Sequence, residues 1–93
     1  MTLQQAAVPR YIRMHDHDNV AIVVNDGGLP AGTAFPDGLV LQRAVPQGHK
    51  VALTDIAQGR QVLRYNVSIG HALADIAQGD WIEESMLGLP PAR

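Results

Sequence analysis

The sequence contains no cysteine, which excludes both a disulfide framework and a thiolate metal site. Aromatic residues are nearly as scarce. Trp81, Phe35, Tyr11 and Tyr65 are all of them, so a core must be built from Val, Ile, Leu and Ala. Basic residues are few, seven Lys and Arg against nine Asp and Glu, giving a net charge of −2. Without a basic stripe the chain offers a phosphate backbone no electrostatic footprint, which argues against nucleic acid as a partner. No apolar run approaches the roughly 18 residues that cross a bilayer. Met1 to Arg10 lacks the charged-then-apolar layout of a secretion signal. These absences predict a cytoplasmic domain with no membrane contact.

What is present suits one small domain. The 93 residues are 46% hydrophobic, a globular proportion. A chain of this length buries about two-thirds or less of its unfolded surface, enough for one modest core. A weak internal repeat organises it. Asp55-Ile56-Ala57-Gln58-Gly59 recurs as Asp75-Ile76-Ala77-Gln78-Gly79, with looser copies at Leu29-Pro30-Ala31-Gly32 and Val45-Pro46-Gln47-Gly48. Proline presets φ and glycine closes a tight turn, so each copy reads as a corner.

After each corner comes a short stretch of strand character: Thr33 to Phe35, His49 to Leu53, Gln61 to Tyr65, and Trp81-Ile82. Val20 to Asn25 is a continuous apolar run ending in Asn25-Asp26-Gly27-Gly28, the pattern of a buried strand followed by a loop. Tyr11 to Met14 and Leu39 to Leu41 are two further expected strands. Val67 to Ala74 is ambiguous: Ile69, Ala72 and Leu73 could line a helical face, but Gly70 weighs against one. The expectation is an all-β fold of short strands and glycine turns with little helix. Residues 1–10 read as an N-terminal extension and 11–89 as the domain. Pro90-Pro91 marks the start of a linker at 90–93.

Several stretches resemble the SAF domain of the altronate and galactarate dehydratase family. They are His15-Asp16-His17-Asp18-Asn19-Val20-Ala21, Gly48-His49-Lys50-Val51-Ala52-Leu53, Arg64-Tyr65, Ile69-Gly70, and the Asp-Ile-x-x-Gly pair at Asp55 and Asp75. The insert from Asn25 to Leu39 and the ending Trp81-Ile82-Glu83-Glu84-Ser85-Met86 are similar to the galactarate branch. The resemblance runs from about Tyr11 to Leu89. It implies a β-clip fold and a place in a hydro-lyase that removes water from a dicarboxylic sugar acid, with a divalent metal, iron, as cofactor. It also implies a much larger C-terminal catalytic portion as the partner, this chain being a domain cut at its linker. With no convergent base, acid and cation set visible in one small domain, the isolated chain is expected to be inactive. A second copy of the chain is the remaining candidate partner. Two alternatives stand beside this reading: a noncatalytic SAF-type binding or assembly module, and the small subunit of a two-subunit lyase of the sulfolactate type.

Dehydrating such an acid needs a base, an acid for the leaving hydroxyl, and positive charge for the enediolate. His49 and Lys50, after the Gly48 turn, are the candidate catalytic pair: an imidazole for proton transfer and an ammonium for a carboxylate. The alternative is a solvated strand start. Lys50, Arg64 and Tyr65 are the candidate substrate anchors, although an Arg-Tyr pair in a strand more often alternates one packed and one solvated side chain. His15 and Asp16 are the candidate metal ligands. On an extended segment His15 and His17 would share one face. The competing reading is a polar loop whose Asp and Asn hydrogen-bond the backbone. Asp55 and Asp75 read as turn-stabilising acids, Glu83 and Glu84 as solvated, and Trp81 as a core cap or docking patch.

Overall fold

The computed structural model describes residues 8–89. Of the expected N-terminal extension it covers only Val8 to Arg10, and the linker at 90–93 lies outside the described residues. Strands β1 (Tyr11–Ile12), β2 (Val20–Val23), β3 (Lys50–Ala52), β4 (Gln61–Arg64), β5 (Val67–Ala72), β6 (Trp81–Ile82) and β7 (Leu87–Gly88) follow in chain order, with one 3-10 turn at Glu84–Met86. They form two antiparallel sheets, ordered β1-β2-β3-β6 and β4-β5-β7. The all-β expectation holds, and Val67–Ala72 resolves as strand.

The four-stranded sheet is covered on both faces, which is why Val20 to Val24 reads as continuously apolar. Val20, Ala52 and Ile82 point into one cluster with Ile56, Val62, Ala72 and Ile76. Ala21, Val23 and Val51 point into the other with Phe35, Leu39, Leu41 and Val45. The register supports this alternation, since Val20 pairs with Ala52 and Ala21 with Val51. The stretches expected as strands at Thr33 to Phe35 and Leu39 to Leu41 instead carry a single bridge, Ala34 to Val40, around the Pro36-Asp37-Gly38 turn. That hairpin is too short to extend its ladder. It is held to β1 by the Tyr11 hydroxyl, which donates to Asp37, and by Tyr11 edge-on to Phe35 at 5.2 Å. The bond raises the Tyr11 phenol and lowers the Asp37 carboxyl from their ordinary values.

The repeats pair two by two. Ile56 and Ile76 exchange both backbone hydrogen bonds at 2.8 Å, as Leu29 and Val45 do at 2.9 Å. In the first pair the bonding maps onto itself when the copies are exchanged. Gly59 N–H donates to the Ala72 carbonyl at 2.7 Å and Gly79 N–H to that of Ala52 at 2.8 Å. Asp75 accepts from Gln58 N–H and Asp55 from Gln78 N–H, each at 2.8 Å. Asp55 and Asp75 thus stabilise turns as expected, but each serves the other copy's turn. Two corners that cap one another reciprocally clip the two sheets together.

Asp18 and Asn19 make the second link between sheets. Asn19 offers a carbonyl to Leu63 N–H at 2.8 Å and its amide to the Gln61 carbonyl at 2.9 Å, so it lies along the edge of β4 like a short strand. Asp18, 1% exposed, accepts from the backbone N–H of Tyr65 at 2.8 Å and of Asn66 at 2.7 Å. Those two residues form the β4–β5 turn, both with positive φ, 61° and 58°, as a two-residue hairpin of matching twist requires. Tyr65 therefore sits in the turn and not in the expected strand. The buried carboxylate compensates the strain of an aromatic residue in that region.

Burial pushes the Asp18 carboxyl up, but the two N–H donors and the nearby His15 outweigh it and hold it below its ordinary value. The folded state therefore binds the Asp18 proton less readily than the unfolded chain. The stability this contributes is present above the ordinary carboxylate value of 3.8 and disappears as pH falls through the lower folded value. Asp37 acts in the same window. Thermal unfolding followed against pH is expected to show a midpoint that drops steeply below about pH 4. Asp18→Asn is expected to lower the midpoint at neutral pH and to flatten that acid limb. An acid limb unchanged by the substitution would contradict the assignment.

Candidate functional site

Two grooves meet at Lys50. The first, about 450 Å³, is lined by Gly48, His49, Lys50, Trp81, Ile82, Glu83, Glu84 and Ser85. It exists because β3 pairs with β6, Lys50 opposite Ile82 and Val51 opposite Trp81, so the Gly48 turn and the chain after β6 leave the sheet side by side. The second, about 380 Å³, is lined by Lys50, Arg64 and Glu84 with Ile69 and the chain from Leu87 to Leu89. It lies where β3 of one sheet faces the three-stranded sheet. Lys50 stands half-buried between the two grooves and Arg64 is exposed.

Sequence reading placed His49, Lys50 and Arg64 near chemistry but gave no reason for them to meet. The fold brings Lys50 and Arg64 to one groove and His49 and Lys50 to the other. It does not bring Tyr65 to either: the residue is 65% exposed at the hairpin tip, and the turn explains why. Among the described residues the ion pairs are those of Arg43, and Lys50 and Arg64 make none. Lys50 and Arg64 share this groove with Glu84 but form no ion pair with it, so the cations can take a carboxylate while Glu84 accepts from a hydroxyl.

Arg43 escaped the sequence reading, because nothing near it in the chain announces its partners. Its guanidinium donates to Asp80 at 2.7 Å, to Glu83 at 2.8 Å and to the Trp81 carbonyl at 2.8 Å, and lies 5.4 Å from the Trp81 ring centre. The Asp80 and Glu83 carboxylates raise its already high value further. Glu83, expected to be solvated, is therefore spoken for, and Arg43 fixes the Trp81 to Glu83 wall of the first groove from behind. Trp81 packs against one core cluster as expected of a cap, and its indole N–H also reaches His49 Nδ1 at 3.3 Å.

The His15 loop lies on the other side of the Asp18 contact. It is a turn, with Asp18 N–H on the His15 carbonyl at 3.0 Å, which is the polar loop of the competing reading, its Asp18 and Asn19 bonding the backbone. The two imidazoles still meet, ring centres 5.1 Å apart. His15 Nδ1 accepts His17 N–H at 3.0 Å, leaving Nε2. Asp16 is exposed, and its backbone carbonyl accepts from Arg13. Among the described residues no three His, Asp or Glu side chains converge as a metal site, and a non-haem iron centre takes three protein ligands. The residues present do not by themselves fit an iron site. No described helix is long and apolar enough to cross a membrane.

Residues 9–90 match the model of the altronate/galactarate dehydratase SAF domain. The chain is 55% identical over 89 residues to galactarate dehydratase (L-threo-forming) of Escherichia coli (strain K12), covering 96% of this chain and 17% of that protein. It is 47% identical over 73 residues to altronate dehydratase of the same organism, covering 75% and 14%. It is 31% identical over 78 residues to (2R)-sulfolactate sulfo-lyase subunit alpha of Chromohalobacter salexigens, covering 74% and 83%. The chain therefore spans less than a fifth of the two dehydratases and most of the sulfo-lyase subunit. With the clipped two-sheet fold, these matches show that the chain belongs to the SAF domain family of the altronate and galactarate dehydratases.

Proposed function

We propose that this domain serves a hydro-lyase acting on a dicarboxylic sugar acid, and that its part is to bind one end of that substrate at the junction of the two grooves. The observation that carries the reading is Lys50, an ammonium with no ion-pair partner among the described residues, shared by both grooves and accompanied by Arg64. The relatives' names supply the reaction class, and the groove supplies a matching recognition chemistry. Lys50 and Arg64 hold the carboxylate, Glu84 accepts from a neighbouring hydroxyl, and His49 stands beside Lys50 in the first groove. The base and the remaining groups belong to a larger catalytic portion of the enzyme, as the 17% coverage suggests. The divalent metal, iron by family resemblance, would take the rest of its ligands from that portion, with His15 and Asp16 as this domain's candidate contribution. The isolated domain is expected to be inactive.

One observation favours a second arrangement. The sulfo-lyase subunit is covered over 83% of its length, so a chain of this kind can work as a separate small subunit. The groove would then meet its catalytic partner across an interface, with the same chemistry.

Lys50 is the one lysine of these 93 residues, so within this domain an acylated lysine peptide reports on it alone. In the complete enzyme, saturating galactarate is expected to slow acylation of Lys50 by an amine-reactive reagent at least tenfold, read by peptide mass spectrometry. Equal rates with and without the diacid would remove Lys50 from the substrate site.

A further inference from the structure

The first groove contains a hydrogen bond whose direction sets the chemistry of His49. The Trp81 indole Nε1–H points at His49 Nδ1 at 3.3 Å, the rings edge-on with centres 5.6 Å apart and planes at 69°. An indole N–H donates and does not accept. The nitrogen that receives it carries no proton, so in the neutral imidazole the proton rests on Nε2. Trp81 has little freedom to turn away. Its backbone is paired to Val51 in β6, its carbonyl is bound by Arg43 at 2.8 Å, and the same guanidinium lies over its ring. Arg43 is in turn anchored by Asp80 and Glu83.

We infer that Trp81 is a positioning residue that holds His49 in its Nε2–H tautomer, so that this histidine polarises a substrate oxygen and does not abstract the substrate's proton. The inference rests on the groove being the substrate's edge and specifies what His49 does there. A base must offer a lone pair. Nε2 has none to offer while it carries the proton, and Nδ1 is covered by the indole. The charged groups around His49 are Lys50, Glu83 and Glu84 along the groove and Arg43 on Trp81. Of these, Lys50 is the natural companion: its ammonium and the Nε2–H together would favour negative charge growing on a carboxylate oxygen.

The test begins with the unsubstituted chain, so it does not depend on a variant that folds. In 15N-labelled protein at a pH where histidines are neutral, ring-nitrogen shifts are expected to show His49 as a single Nε2–H tautomer. Exchange of the Trp81 indole N–H with solvent is expected to be slowed. Trp81→Phe keeps the aromatic ring and removes the donor, and His49 should then become a mixture of tautomers. A proton on Nδ1 in the unsubstituted chain, or a tautomer spectrum indifferent to Trp81→Phe, overturns the inference. In the complete enzyme His49→Gln, which keeps an N–H donor but no base, is expected to retain at least tenfold more turnover than His49→Ala. An equally deep loss in both assigns His49 the base's role and overturns it. Unchanged turnover in both, with the single tautomer observed, would instead remove the groove from the substrate site and leave the Trp81 constraint standing.

Discussion

Gly79→Ala is expected to unfold the domain under conditions where Gly59→Ala leaves it folded. The two glycines hold equivalent places in the paired repeat, with φ of +87° and +86°. A side chain in that left-handed region costs about 1–2 kcal/mol at either position. Their surroundings differ. A Cβ on Gly59 meets nothing within 4 Å, whereas one on Gly79 would lie inside the envelope of the Val40 carbonyl oxygen. Neither backbone can withdraw easily. Val40 belongs to the short hairpin closed by Phe35 and Leu39, and the Gly79 carbonyl itself accepts Gln42 N–H at 2.9 Å. A collision between backbones is not relieved by a change of rotamer. Net stability of a small domain is about 5–15 kcal/mol. Urea unfolding should therefore give a loss of about 1–2 kcal/mol for Gly59→Ala and at least about 4 kcal/mol for Gly79→Ala. Equal losses would mean that the approach of Gly79 to Val40 is not part of the native packing.

That asymmetry also shows what a sequence can and cannot reveal here. The Asp-Ile-Ala-Gln-Gly repeat is legible as two corners, because a glycine that closes a tight turn acts on its immediate neighbours. That the corners cap each other is not legible, because a reciprocal contact depends on where the chain returns. Val20 to Val23 was recognisable as a buried strand from its unbroken apolar run, and two-sided burial is what such a run encodes. Tyr65 departs from the expected strand for a physical reason. An aromatic residue ordinarily favours extended backbone, and only the distant Asp18 carboxylate makes the left-handed turn acceptable.

The site divides in the same way. His49 and Lys50 stand next to each other after a glycine, so local reading found them, and family resemblance gave them weight. Arg64 could be named but not located, since its meeting with Lys50 requires the two sheets to close on each other. Arg43 carried no signal at all: its partners Asp80 and Glu83 come from the far end of the chain. The histidine-rich loop looked like the densest ligand cluster. Its Asp18 and Asn19 turned out to belong to the scaffold, fastening one sheet to the other.

The second large effect concerns Lys50. Its side chain has no ion pair among the described residues, so removing it should leave the fold intact, with the thermal midpoint of Lys50→Ala within a degree or two of the parent. Its loss from a substrate site would be severe. A preorganised charge that meets developing negative charge in a partly desolvated groove contributes on the order of 10²–10³-fold to rate. Lys50→Arg keeps the charge but spreads it over a planar fork, and should recover only part of that. The decisive measurement is kcat/KM for a sugar diacid in the complete enzyme carrying Lys50→Ala. A fall of about 10²-fold or more with unchanged thermal stability is the expected result. Parent-level kcat/KM would show that the substrate does not meet this domain at the Lys50 groove.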